Sequence, residues 1–228
     1  MTPVHHQESK YMIHLTIDLI VLTISVLIGF YATNRKSPVY LRLIPYFLSI
    51  TLLVELVGQY FQKRNINNVI IFNIYAPVEF LFLAYFFGQV IPNRNIQKKI
   101  NQLGFVVPLL CLINIFFIQG AHVFNTYTFL LGSLEMILLG IIYFYQLFKS
   151  SINVVLLKEP PFWICIGIIF FSTCSVTLVG SSNYIALLPK MILRNMNQIL
   201  LMVDTFFYLM FIIAFLCQIQ VRSSSRLR

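Results

Sequence analysis

The sequence predicts an all-α integral membrane protein with seven transmembrane helices, its N-terminus outside and its C-terminus cytoplasmic. Three observations lead there. The 228 residues are 59% hydrophobic and only 10% charged, with a mean hydropathy of +0.84. A soluble domain carries roughly 25% charged residues, and one this small cannot enclose so much apolar surface. Seven stretches each approach the roughly 20 apolar residues that cross a bilayer. Lysine and arginine are distributed unequally between the two sets of loops, which sets orientation. The whole of 1–228 is expected to form one membrane domain.

The elements follow in order. The first helix, 13–32, comes after a polar start and lacks an A-x-A-like cleavage site. It is expected to be retained rather than removed as a signal peptide. No lipidation motif accompanies it. Asn34 to Pro38 ends it, and the second helix is 42–60. The third, 69–91, ends at Pro92-Asn93, and the fourth is 99–119. Pro77 and Pro108 lie inside these two. Each should kink its helix and free a carbonyl one turn earlier, at Asn73 and Gly104. The fifth is 127–148. The sixth, 161–181, starts at Pro160-Pro161, where a missing N–H costs nothing. Pro189 to Asn197 reads as an extra turn or two before the seventh, 198–220. Lys190 and Arg194 there share a face and suit a snorkelling anchor at the outer interface, with ligand gating as the alternative.

Eleven basic residues fall in the loops after helices one, three and five and in the tail, against five on the other side. The positive side is cytoplasmic, and a bacterial inner (plasma) membrane is the expected location. The net charge of +9 does not point to nucleic acid. The basic residues are spread over loops, as flanks facing anionic headgroups. The four cysteines sit inside apolar segments without a C-x-x-C pair and read as small packing residues.

Seven acids exist, and five of them, Asp18, Glu55, Glu79, Glu135 and Asp204, lie within the helices. A carboxylate at the bilayer centre costs about 2.5–3.5 kcal/mol even on the lenient insertion scale, so such acids are functional suspects. At 1.5 Å per residue, Asp18, Glu55 and Asp204 lie about 8–9 Å below the outer helix ends, Glu135 about 12 Å and Glu79 about 15 Å. All five occupy the outer half or the middle. No lysine or arginine lies deep enough to pair with them. Thr51, Glu55 and Gln59 form one stripe. Tyr75 and Glu79 share a face beside Asn73. Asn197, Asp204 and Tyr208 share a side, and His14 shares one with Asp18. Glu135 stands among apolar neighbours. The expected ligand-binding residues are Glu55, Glu79, Glu135, Asp204, Asp18, Asn73, Tyr75 and Gln59. The competing reading is that the acids snorkel or act as interhelical glue. No cofactor, metal site or catalytic constellation is expected.

Gapless comparison of corresponding segments, at offsets of 122, 129 and 117 residues, suggests an internal repeat. Segment 38–60 against 160–182 matches Pro38 with Pro160, Thr51 with Thr173 and VELVG (54–58) with VTLVG (176–180). Helix three against helix seven matches Asn68 with Asn197, Phe82 with Phe211 and Gln89 with Gln218. Helix one against helix five pairs Asp18 with Glu135. Apolar composition inflates such matches. A duplication would give parallel units 13–91 and 127–220 joined by helix 99–119, with sites at their interface near mid-membrane. That 3+1+3 plan resembles the architecture of SWEET-type sugar transporters and of the wider transporter–rhodopsin class. No family motif carries the likeness. The Pro-Gln motif of the PQ-loop group is absent, and helix seven has no lysine for a retinal Schiff base. The histidines, His5, His6, His14 and His122, lie at or beyond the outer boundary, unlike those of zinc-dependent seven-helix hydrolases.

Four functions compete. The leading one is a transporter-like protein that binds a small cationic or polar solute, or protons, in an outward-facing acidic pocket. The second is a receptor or sensory module working through a cytoplasmic protein partner. The third is an enzyme acting on a lipid or isoprenoid. PVEFLF (77–82) resembles the P-x-E-E stretch of the seven-helix lycopene cyclases, with Phe80 where that family has a second acid. That resemblance implies Glu79 as a general acid. The fourth is an accessory subunit. The lipid bilayer is the one partner common to all, and a homo-oligomer is compatible with each.

Overall fold

A computed structural model describes residues 3–149, 156–182 and 190–226. The described chain is all-helical, and seven of its helical spans are long and apolar enough to cross a membrane. They are α1 (Pro3–Ala32), α2 (Val39–Lys63), α3 (Val69–Val90), the pair α4 (Arg94–Leu103) and α5 (Val106–Ile113), α6 (Thr126–Lys149), α7 (Pro160–Ser182) and α8 (Lys190–Arg226). The outer surface is apolar. Leu27, Leu53, Ile74, Phe116, Phe117 and Phe148 all point outward, a surface that lipid solvates and water does not.

The fourth span is broken where the proline rule places the break. α4 ends at Gly104, whose N–H still bonds to Ile100 O. Pro108 then falls in the first turn of α5, where its missing N–H leaves no bond unmade. The span finishes in a π-helical turn, Asn114–Ile118. By contrast α3 runs unbroken through the buried Pro77. Pro45, inside α2, is a second proline that its helix accommodates. α1 and α8 outrun the expected 13–32 and 198–220. At 1.5 Å per residue their 30 and 37 residues measure about 45 and 55 Å, more than the roughly 30 Å hydrocarbon layer. The extra turns foreseen before the seventh span belong to α8 from Lys190 onward. Pro189 and the side chains of Lys190, Arg194, Asn197 and His14 lie outside the described residues.

Six spans form a ring. α1 packs on α2 and α8, α2 on α3, α3 on α6, α6 on α7, and α7 on α8. The α4–α5 span lies outside the ring against α3 and α6. Small residues let neighbours approach. A Cβ on Gly29 would meet the Phe215 ring at 2.8 Å, and one on Gly167 would meet Met210 Cβ at 2.9 Å. Phe87, Phe211, Phe215, Ile164 and Met136 fill the shared core.

Hydrogen bonds tie the loops at both ends. At one end Asn67 Nδ2 donates to His122 O at 3.0 Å, joining the turn after α2 to the loop before α6. In that turn Asn65 takes a left-handed φ of 57°, and Ile66 N–H bonds back to Phe61 O, a helix-closing geometry that asparagine tolerates. At the opposite end Asn93 N–H donates to Gln146 Oε1, and Gln218 Nε2 donates to Ser37 Oγ. Leu157, in a single 3-10 turn (Leu156–Lys158), accepts from Trp163 Nε1 there.

Candidate functional site

The ring encloses a half-open cavity of about 440 Å³. All six ring helices contribute to its wall. Helical periodicity selects the side chains. α2 presents Phe47, Thr51, Glu55, Gln59 and Gln62, each three or four residues from the last. α3 presents Phe72, Tyr75, Ala76 and Glu79. α7 presents Phe171, Ser175 and Val179, and α8 presents Leu201, Asp204 and Tyr208. α1 and α6 add Leu15 and Phe129. Gln62 and Asn68, at the facing ends of α2 and α3, put the mouth at the end where Asn67 meets His122. Phe124, from the loop joined there, also faces in.

Three carboxylates, those of Glu55, Glu79 and Asp204, come to this one space from three helices. Among the described residues no lysine, arginine or histidine lines it. Gln59 and Tyr75 are on the wall too. Tyr75 is held in place: its hydroxyl lies 2.5 Å from Thr51 Oγ1, and Thr51 in turn bonds to Phe47 O at 3.1 Å. The Tyr75 ring stacks on Phe47 at 6.4 Å.

The other expected residues are elsewhere. Asp18 is 2% exposed, behind the wall on α1. Its Oδ1 lies 3.1 Å from the hydroxyl of Thr205, which also bonds to Leu201 O at 2.8 Å. Asp18 is still within electrostatic range of Glu55 and Asp204. Asn73 points away from the cavity. Its Nδ2 donates to Ala121 O and Val123 O, and its Oδ1 accepts from Asn125 N–H at 3.0 Å. Asn125 is in turn bonded to Asn114, Thr128 and Cys111 O. This buried clasp fixes the 119–125 loop, and with it Phe124. Glu135 is not on the wall either. It sits on α6 within range of Cys111, and its buried Oε2 has no hydrogen-bond partner among the described residues.

One polar wall group, Ser175, went unnoticed in the sequence. Ser175 is 1% exposed, and its hydroxyl has no partner among the described residues. Serines and threonines in helices usually bond to the carbonyl four residues back, as Thr177 and Ser181 do on the same helix. Ser175 does not. Its spacing of four from Phe171 and from Val179 was the available signal. The Gln59 Nε2 is likewise buried and unpaired among the described residues. A buried donor without a partner costs about 1–3 kcal/mol, which a bound molecule can recover.

No family model, curated protein or solved structure matches the chain.

Proposed function

We propose that the chain is a membrane transporter-like protein that binds a small cationic or polar solute, or protons, in this cavity. One observation carries the reading. Glu55, Glu79 and Asp204 meet in one half-open space with no basic side chain on its wall among the described residues. Acids serving only as helix glue pair within helix contacts, and acids at lipid-facing positions snorkel. Neither role gathers three of them round an empty volume. Intramembrane carboxylates facing a cavity are the usual ligands and relays of ion and proton pathways.

In this reading the mouth faces outward and the basic loops face the cytoplasm of a bacterium, following the charge asymmetry. The parallel repeat belongs to the same reading. The ring order α1, α2, α3, α6, α7, α8 is what a two-fold axis along the membrane normal would produce. The register that aligns helix three with helix seven also sets Tyr75 opposite Asp204 and Glu79 opposite Tyr208. α3 and α8 thus each give the cavity one tyrosine and one acid a turn apart. Rocking of one half against the other would expose the site alternately.

The test is flux. The chain is reconstituted in liposomes with a trapped pH dye, and protons, sodium, potassium and small ammonium ions are offered outside. Flux above empty liposomes is expected for at least one of them, with a drop of at least about tenfold in Glu79→Gln. Flux unchanged by that substitution sinks the proposal. The receptor reading takes its place if solute binds but none crosses. α8 lines the cavity at Asp204 and continues beyond its apolar span to Arg226, so it could carry a shift to the far end.

A further inference from the structure

Resting on that reading, we infer that the cavity takes an organic ammonium ion with an apolar body, rather than a bare metal ion or a sugar. The wall has two chemistries. Eight of its 21 residues are aromatic, among them Phe47, Phe171, Phe207 and Tyr208. Phe171 on α7 and Phe207 on α8 stack at 5.0 Å, so the pair brings aromatic rings of both helices to one stretch of the wall. Aromatic faces attract cations most strongly when the cation is desolvated, and an organic ammonium sheds water far more easily than a small metal ion. The three carboxylates supply the counter-charge.

The alternatives fit less well. Among the described residues no three carboxylate, histidine or cysteine side chains are grouped closely enough to hold one metal ion. The acids are spread round a volume that takes a molecule: about 440 Å³ lies within the roughly 300–1,000 Å³ of small-molecule pockets. A sugar offers donors and acceptors in balance. This wall is rich in acceptors, and the Thr51 hydroxyl is already committed to Phe47 O. Among the described residues Ser175 Oγ and Gln59 Nε2 are the buried wall atoms left open, enough for one polar group at the far side of a ligand whose ammonium meets the acids.

The experiment measures saturable binding of tritiated 2-phenylethylammonium to the purified full chain in phosphatidylcholine nanodiscs. Unlabelled tetraethylammonium should displace it. Sodium, glucose and the neutral isostere 2-phenylethanol should not. Glu79→Gln should weaken binding at least about tenfold, the scale of a lost charged hydrogen bond. Phe171→Leu should weaken it about two- to fivefold while Phe171→Tyr, which keeps the ring, stays near the parent. The Phe171 pair keeps the test readable if Glu79→Gln fails to fold. Displacement by 2-phenylethanol or glucose as effective as by the cation overturns the ammonium assignment. So does sodium binding through Glu79 without 2-phenylethylammonium binding, which leaves the acid cavity standing as a cation site. Absence of both binding and flux for every probe overturns the assignment and the transport reading together.

Discussion

The five intramembrane acids occupy three kinds of surroundings, and each kind has its own consequence. Glu55, Glu79 and Asp204 face a shared space. Asp18 is buried behind them with Thr205 as its partner. Glu135 keeps a buried oxygen with no partner among the described residues. A buried polar atom without a partner carries its desolvation penalty uncompensated, so Glu135→Leu should leave the fold intact. Thermal unfolding in detergent should show stability unchanged or raised by about 1–2 kcal/mol, and solute binding should not change. A clear loss of stability would reveal a partner for Glu135 and reopen its place in the function. At this scale the sequence was informative about which residue types to suspect, because charge in an apolar run is conspicuous. It could not sort them. Asp18 and Glu55 differ in which helix lies in front of them, and that is a packing fact. Asn73 shows the same limit. Its position near Tyr75 and Glu79 put it in the candidate site, yet a rotation of one or two residues on α3 turns it toward the 119–125 loop. Ser175 was missed for the opposite reason: a lone serine in an apolar helix ordinarily satisfies itself locally.

Helix placement was legible because bilayer thickness imposes it. The spans expected at 42–60, 69–91, 127–148 and 161–181 agree with α2, α3, α6 and α7 to within three residues at each end. The fourth span was legible only in part. Pro108 announced a break near Gly104, but not that Asn114 would start a π-helical turn. That turn aims Asn114 at Gln119 Oε1, 2.6 Å away, and at Asn125, so its cause lies in the clasp and not in local propensity. The clasp makes a prediction for the element it holds. Asn73→Ala removes two donors and one acceptor from the 119–125 loop, at about 0.5–1.5 kcal/mol each. Amide hydrogen exchange at 121–126 should rise by about tenfold or more, while exchange in α7 stays as it was. Unchanged protection of the loop would mean that Asn125 and Asn114 suffice. Because Phe124 reaches the cavity mouth from this loop, the same variant should bind and release solute faster, with less effect on affinity than Glu79→Gln.

For the molecule as a whole, composition dictated a lipid-solvated bundle, and the ring of six spans with α4–α5 outside it satisfies that demand. Closing the ring was beyond the sequence, since it depends on α8 returning to α1 from nearly 190 residues away. The proposed direction of the ring in the membrane rests on charge alone. It is testable at two exposed loop positions. His122 lies at the end that carries the cavity mouth, and its backbone carbonyl, not its side chain, holds Asn67. Lys36 lies at the opposite end, where only its backbone N–H is engaged, by Asn34 Oδ1. Cysteine at either position should therefore be tolerated. The native Cys111, Cys165 and Cys217 are buried, and Cys174 lies within the apolar span of α7, so an impermeant reagent meets little background. In intact bacterial cells or right-side-out vesicles, a membrane-impermeant maleimide should label His122→Cys directly and Lys36→Cys only after permeabilisation. The reverse pattern would turn the mouth toward the cytoplasm. The acids would then receive solute from inside, and the basic loops after the first, third and fifth spans would no longer lie where the positive-inside rule puts them.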